Sequence, residues 1–93
     1  MSYQIKQTRR FARIYKKLHD NVIKEVDTAV QAVADNPQLG ERKKGDLAQL
    51  LVYKFRSQGQ LYLLGYMLDE SIRLIYLEAI GSHATYTNAF IET

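Results

Sequence analysis

The sequence predicts an α+β domain in which a helical hairpin packs on one face of a small, mostly antiparallel sheet, in the order β-α-α-β-β-β. Two observations support this prediction. Apolar residues recur at helical spacing through the first third of the chain. The pattern then changes to runs rich in Leu, Ile and Tyr, separated by short polar turns. The only proline, Pro37, falls between the two patterns, so we expect the helices to end there.

Two amphipathic helices are expected after a short alternating strand over residues 3–7. Thr8 is a good N-cap for the first helix, and either Asp20 or Asn21 is expected to cap the second, which Asn36 and Pro37 end. The apolar stripe of the first helix consists of Phe11, Ile14, Tyr15 and Leu18. The stripe of the second consists of Val22, Val26, Ala29, Val30 and Val33. The connection is so short that the pair must form a hairpin.

Three strands are expected in the second half of the chain, at residues 50–57, 60–68 and 72–80. The separating segments "QG" and "DES" are turn-like, so the three strands form a meander that the first strand joins. Residues 39–49 are predicted to be a loop with a basic cluster. The last thirteen residues, 81–93, are predicted to leave the sheet.

Composition indicates an ordinary globular protein of one domain spanning residues 1–93, with 46% hydrophobic and 25% charged residues. Cysteine is absent, which excludes disulfides and cysteine-bound metal. No apolar run could span a bilayer, and the segment "MSYQIKQTRR" lacks the apolar core of a signal peptide. We therefore expect a cytoplasmic protein without a membrane partner. The net charge of +3 is compatible with a nucleic-acid or acidic-protein partner.

Two cations lie inside one of the most apolar stretches, at Lys54 and Arg56. Side chains alternate along a strand, so if Tyr53 and Phe55 meet the helices, both cations lie on the open face. The middle strand is apolar on both sides, and we assign its tyrosines to the open face because Leu61, Leu63 and Gly65 suit close packing under helices. In the last strand Ile75, Leu77 and Ala79 form the packed set. The predicted open face then carries Lys54, Arg56, Tyr62, Tyr66, Tyr76 and Glu78, with His83 just beyond the strand end.

Cations interleaved with aromatic rings are typical of single-stranded RNA sites, where charge binds phosphate and rings stack on bases. Metal-independent RNA cleavage also needs an acid and a base, and cations that stabilise the transition state. His83 is the natural acid or base, because imidazole changes charge near neutral pH. Lys54 and Arg56 suit the phosphate, and Glu78 is a possible second acid or base. No metal site or cofactor is implied. The alternative is a hydrated sheet face without function.

A set of short motifs in a fixed order resembles the RelE/ParE superfamily of bacterial type II toxin–antitoxin toxins. The motifs are the helix "TRRFARIYKKL", a second helix ending at "NP", the loop "KKGDLA", the strand "VYKFR", the turn "DES" and the ending "IGSH" followed by tyrosine. The resemblance covers nearly the whole chain. It implies a toxin that cleaves messenger RNA in the ribosomal A site and that a co-encoded antitoxin neutralises.

The same resemblance implies roles for particular residues. Lys54 and Arg56 match basic nuclease positions, and His83 stands where relatives carry arginine or histidine. Tyr86 or Phe90 lies near the tail tyrosine. Together with the open-face tyrosines and the basic loop predicted above, the expected RNA-binding set comprises Arg42, Lys43, Lys44, Tyr62, Tyr66 and Tyr86.

One departure from the family pattern keeps other functions open. Tyr62 stands where many relatives carry an arginine that clamps phosphate. ParE-like members lack the nuclease cluster and act on DNA gyrase. The alternatives are therefore a gyrase poison without catalysis and a toxin fold that only binds its antitoxin.

Overall fold

The computed structural model describes residues 3–42 and 50–83, which form two helices on one side of a five-stranded sheet. The predicted fold class is confirmed. The strands lie in the order β1-β5-β4-β3-β2; β1 is parallel to β5, and the other neighbours are antiparallel. The elements are β1 (Gln4–Gln7), α1 (Arg9–Lys16), α2 (Asp20–Asp35), a 3-10 turn (Pro37–Leu39), β2 (Glu41–Arg42), β3 (Leu50–Ser57), β4 (Gln60–Asp69) and β5 (Leu74–Ser82).

Helix α1 begins as predicted. The Thr8 hydroxyl accepts a hydrogen bond from the Phe11 backbone N–H at 3.1 Å, which satisfies a donor that the first turn leaves unpaired. Phe11 is 1% exposed and belongs to the main core. This capped helix packs against β5, the last strand in the sequence, which lies between β1 and β4 in the sheet.

Helix α2 carries the predicted apolar stripe and ends at Asp35, as Asn36 and Pro37 require. Its beginning differs from the prediction. The N-cap is His19, which makes no side-chain capping hydrogen bond, and Asp20 is the first helical residue. An acidic side chain in the first turn still stabilises the helix dipole, so Asp20 acts from inside the helix rather than as its cap.

The sheet has one strand more than the sequence indicated. Glu41 and Arg42 lie in the predicted loop but pair with Val52 and Leu51 as β2, a two-residue edge strand too short to show alternation. Strand β3 has the predicted bounds, while β5 is shifted by two residues and includes Gly81 and Ser82, which were assigned to the tail. Gln58 and Gly59 form the β3–β4 turn with φ of 53° and 77°, the two positive values of a tight hairpin.

The two faces of the sheet have separate apolar clusters. The inner face, which meets the helices, carries the main core, whose buried strand residues are Leu51, Leu64, Tyr66, Ile75, Leu77 and Ile80. The outer face, opposite the helices, carries a smaller cluster of Leu50, Val52, Leu63 and Ala79. The outer face is therefore partly apolar, and its cations lie beside a patch that is out of water.

Neither described helix is both long enough and apolar enough to cross a membrane.

Candidate functional site

Strand β3 presents its two cations on the outer face, as predicted. Tyr53 and Phe55 pack against the main core, so the intervening Lys54 and Arg56 point away from the helices, on the side of Val52. Both cations are exposed. Neither forms an ion pair within residues 3–42 and 50–83, so their charge is available to an anionic ligand.

The prediction for strand β4 is wrong. Tyr62 and Tyr66 lie on the inner face, and Leu63 lies on the outer face beside Lys54. The strand is apolar on both sides, so composition did not reveal its phase, and a one-residue error moves every side chain to the other face. The structure therefore removes both tyrosines from the set of rings around Lys54 and Arg56.

Tyr66 has a structural role instead. Its side chain is fully buried, and its hydroxyl donates to the Pro37 carbonyl at 2.5 Å and accepts from the Gly40 N–H at 2.9 Å. Burial raises the pKa of this phenol, although the bond from Gly40 and the nearby charge of Arg42 act in the opposite direction. Such a side chain cannot stack on an RNA base.

Tyr62 belongs to a row of three half-buried rings on the inner face. Its ring centroid lies 5.9 Å from that of Phe55, which lies 6.2 Å from that of Tyr53, in stacked geometry. These spacings are typical of favourable aromatic pairs, and all three rings pack against the main core. The row explains why the strand carries aromatic residues without assigning them a ligand.

A bulge in β5 changes the face on which its side chains lie. Gly65 pairs with Ala79, whereas the next residue, Tyr66, pairs with Leu77, so Glu78 is an extra residue. Ala79 therefore lies in the outer cluster and not in the packed set that was predicted with Leu77. Thr8, the N-cap of α1, stabilises the bulge. Its backbone N–H and its hydroxyl both donate to the Leu77 carbonyl, at 3.0 and 3.2 Å.

Tyr76 lies on the outer face as predicted and is 40% exposed. It pairs with Met67 on one side and with Lys6 of β1 on the other. The sequence had not placed Lys6 on this face, because a parallel partner seventy residues away leaves no local signal. The alternation of Lys6 with half-buried Ile5 was the one local sign that Lys6 lies on the face opposite the helices.

His83 follows the last residue of β5 and is half-buried. Ser82 pairs with Tyr62, so one further step along the register brings His83 level with Leu61, which pairs with Arg56. Two strand spacings separate His83 from Arg56, about 10 Å between backbones. Arginine and lysine side chains are long enough to share a phosphate group with an imidazole across this gap.

The remaining predicted site residues lie elsewhere. Arg42 pairs with the inner-face residue Leu51, so it does not share the outer face with Lys54. Lys43, Lys44, Tyr86 and Phe90 lie outside the described residues. Within residues 3–42 and 50–83, no group of three or more His, Asp and Glu residues is arranged to hold a metal ion.

Comparisons with known proteins agree with this architecture. Residues 5–89 match the family described as ParE-like toxin of type II bacterial toxin–antitoxin system. No curated protein matches the chain in sequence.

Three solved structures resemble the chain along most of its length. One is the RelBE2 toxin–antitoxin complex of Mycobacterium tuberculosis, with a TM-score of 0.75, 20% identity, and coverage of 88% of this chain and 99% of that one. Another is the intact RelBE toxin–antitoxin complex of Escherichia coli, with a TM-score of 0.72, 20% identity, and coverage of 86% of this chain and 95% of that one. The third is a mutant of the E. coli toxin RelE in the free state, with a TM-score of 0.74, 20% identity, and coverage of 94% of this chain and 90% of that one. At these identities the resemblance shows a shared fold.

Proposed function

We propose a specific activity for this chain, which belongs to the ParE-like toxins of type II bacterial toxin–antitoxin systems: it is a ribosome-dependent endoribonuclease that cleaves messenger RNA without a metal ion. The observation that carries the proposal is the outer face of the sheet. There Lys54 and Arg56 are both exposed, and His83 lies level with Arg56 at the end of β5.

These residues can supply the proton transfer and the charge stabilisation that a transesterification needs. A base removes the proton of the 2′-hydroxyl, whose oxygen attacks the adjacent phosphorus, and an acid protonates the departing 5′-oxygen. We assign one of these proton transfers to His83, which lies level with Arg56. Glu78 is half-buried at the bulge, five residues earlier in β5, and is too distant along the strand to act on the same phosphate, so water serves the other transfer. Lys54 and Arg56 stabilise the charge that develops on the phosphate oxygens. The products are a cyclic phosphate and a free 5′-hydroxyl.

Dependence on the ribosome fits the corrected positions of the tyrosines. Binding isolated single-stranded RNA requires rings that stack on the bases as well as charge. Tyr62 and Tyr66 lie on the inner face, and no other aromatic residue of the described strands lies beside Lys54 on the outer face. A site with charge but without stacking holds free RNA weakly, so the ribosome must supply the positioned messenger.

The proposed neutralising partner is a co-encoded antitoxin with an acidic segment. Exposed cations on the outer face favour negatively charged ligands and raise the rate at which they associate. Such a segment would cover Lys54 and Arg56 and exclude RNA by competition. Titration with antitoxin should then inhibit cleavage with a stoichiometric end point, and the association rate should fall as salt rises.

The deciding experiment compares two variants in a cleavage assay on purified ribosomes with messenger RNA in the A site. His83→Ala should abolish most of the cleavage, whereas Lys24→Ala, which removes an exposed cation from α2, should cleave at the wild-type rate. A chain that never cleaves ribosome-bound messenger, even in its wild-type form, would refute the proposal.

A second candidate is a toxin that binds and poisons DNA gyrase without catalysis. The ParE-like family match favours it, and so does strand β4, where the outer-face residue paired with Arg56 is Leu61 and not a cation. Pulse labelling after induction distinguishes the two. Amino-acid incorporation falls first if the chain cleaves messenger, and thymidine incorporation falls first if it poisons gyrase.

A further inference from the structure

The positive charge of this protein is concentrated in its first nineteen residues. These residues contain six of the 13 Lys and Arg and none of the 10 Asp and Glu, for a net charge of +6 with histidine neutral. The remaining chain then has seven cations against ten carboxylates, a net charge of −3. Such an asymmetry generates a strong local field even though the whole chain carries only +3.

Helix α1 and its C-cap carry five of these cations on one face. At the 3.6 residues per turn of an α-helix, they fall within an arc of roughly 120°. All five are exposed, and we call them the α1 stripe: Arg9, Arg10, Arg13, Lys16 and Lys17. Buried Phe11 lies on the other side of the helix, against the sheet. The stripe is therefore a solvent-facing row of positive charge.

The α1 stripe is distinct from the proposed catalytic face. It lies on the helix side of the sheet, whereas Lys54 and Arg56 lie on the outer face. Its neighbour α2 is acidic, because Asp20, Glu25, Asp27 and Asp35 outnumber Lys24. A polyanion that follows α1 is therefore repelled from α2, and the boundary between the two helices fixes the side from which it approaches.

We propose that the α1 stripe binds the phosphate backbone of double-helical RNA, as a docking surface separate from the catalytic face. The proposal rests on the proposed ribosome-dependent activity, because the surface of a ribosome exposes base-paired RNA. Successive cations four residues apart along α1 are about 6 Å apart, and such a row matches a continuous line of phosphates better than it matches a single anionic group. Contacts with the backbone carry no sequence information, so the stripe would position the toxin while β3 and β5 supply the chemistry.

The test uses the full chain and a fluorescent, blunt-ended RNA duplex of 16 base pairs, with binding followed by anisotropy between 50 and 200 mM salt. The variant is Arg9→Gln/Arg13→Gln/Lys16→Gln/Lys17→Gln, because glutamine keeps the helix propensity while it removes four charges. With four phosphate contacts the wild type should lose affinity by roughly 10²-fold across this range. The variant should lose less than about 10-fold over the same range, since little charge remains to release counterions.

A matched control removes three cations from other surfaces, as Lys24→Gln/Lys54→Gln/Arg56→Gln. It should keep the wild-type salt dependence for duplex RNA, although it cleaves no messenger. An unchanged salt dependence in the α1 variant would overturn the inference, and so would tighter binding of the wild type to a DNA duplex of the same length. The inference would also be overturned if the α1 variant lost its binding to poly-glutamate but still bound the RNA duplex as the wild type does. In that case the α1 stripe binds an acidic protein.

Failure of the docking surface and failure of the proposed activity give different results. A chain that binds duplex RNA through α1 and cleaves nothing on ribosomes refutes the nuclease and leaves the docking surface standing. Conversely, if the α1 variant cleaves ribosome-bound messenger at the wild-type rate and sediments with ribosomes as the wild type does, that result refutes the docking surface alone.

Discussion

The Tyr66 hydroxyl fills the space that a side chain at residue 40 would need. A Cβ atom built on Gly40 would lie within 2.8 Å of the Tyr66 Cζ atom and closer still to its hydroxyl oxygen. Gly40 has φ of −75°, which any residue adopts, so the glycine is required for space rather than for conformation. The contact fixes the 3-10 turn and β2 against the centre of the sheet.

Gly40→Ala should therefore destabilise the protein by about 1–3 kcal/mol, the usual cost of overpacking a filled site. Chemical denaturation measures the change. Leu39→Ala is the control, because this neighbouring side chain is 45% exposed and its loss should cost little. In a Tyr66→Leu background, which removes the ring, Gly40→Ala should reduce the free energy of unfolding by less than it does in the wild type. Equal costs in both backgrounds would show that the ring is not the obstacle.

The bond between Tyr15 and Asp27 should make stability depend on alkaline pH. The Tyr15 hydroxyl donates to Asp27 Oδ1 at 2.6 Å and joins α1 to α2. This hydrogen bond, with smaller contributions from burial and from the charge of Asp27, raises the pKa of Tyr15 from 10.0 to about 12. A proton held more tightly in the folded state stabilises the protein fully below the unfolded value, and this contribution is lost as pH rises from about 10 to about 12.

The measurement compares the wild type with Tyr15→Phe in urea at a series of pH values. The wild type should be more stable at pH 8, and the difference between the two should shrink above pH 10, because only the wild type has this proton to lose. Tyr76→Phe, at an exposed ring, serves as the control. A difference that stays constant to pH 12 would contradict the linkage.

Thr8 should stabilise both the start of α1 and the bulge in β5. Its hydroxyl accepts from the Phe11 N–H and donates to the Leu77 carbonyl, next to Glu78. Thr8→Ala should cost about 1–2 kcal/mol, the upper part of the range for a lost N-cap, since a contact with the sheet is lost as well. Thr8→Ser keeps the hydroxyl and should recover most of this energy. Thermal melts of the three proteins give the comparison, and an alanine variant as stable as the wild type would refute the role.

Loss of the proposed site residues should separate catalysis from stability. His83→Ala should slow single-turnover cleavage of ribosome-bound messenger by roughly 10²–10⁴-fold, which is typical of a lost general acid or base. Lys54→Ala and Arg56→Ala should also slow cleavage, yet they should leave the melting temperature nearly unchanged, because exposed cations contribute little to folding. If instead these two variants unfold at room temperature, the cations are structural and the sheet face is not a nuclease site.

The route of cleavage can be tested on the substrate. A 2′-deoxy nucleotide at the cut site should abolish cleavage, because it removes the attacking oxygen. The product of normal messenger should end in a cyclic phosphate. A chelator should leave the rate unchanged, since the positive charge at the phosphate comes from Lys54 and Arg56 in this mechanism. Cleavage of the deoxy substrate, or inhibition by the chelator, would exclude the mechanism.

Local patterns predicted the parts of the fold that depend on one element at a time. The stripe around Val26 fixed which side of α2 is buried, and the alternation of Tyr53, Lys54, Phe55 and Arg56 fixed the faces of β3. Strand β4 has no such contrast, because Leu63 and Leu64 are both fully buried, on opposite faces. Its phase depends on pairing with β3 and β5, which the sequence does not show.

The candidate site was predictable to a smaller extent, for the same reason. Lys54 and Arg56 belong to one strand and were placed correctly, whereas Glu78 depends on a bulge that comes from the register between β4 and β5. The inner position of Tyr66 follows from its pairing with Leu51, and its hydroxyl accepts a hydrogen bond from Gly40, 26 residues away in sequence. Contacts between distant segments decide both positions, and no short motif reports them.

The parallel pairing of β1 with β5 determines when this protein can finish folding during its own synthesis. Gln4 pairs with Leu74, and α1 packs on the same late strand, so the first helix has no sheet to bury Phe11 until the segment from Leu74 to Ser82 has emerged. The hairpin of β3 and β4 can form earlier from neighbouring residues, whereas the amino-terminal segment must wait for a partner some seventy residues later. A nascent chain that stops before β5 therefore lacks the docked α1, and only one that extends through Ser82 assembles the whole sheet.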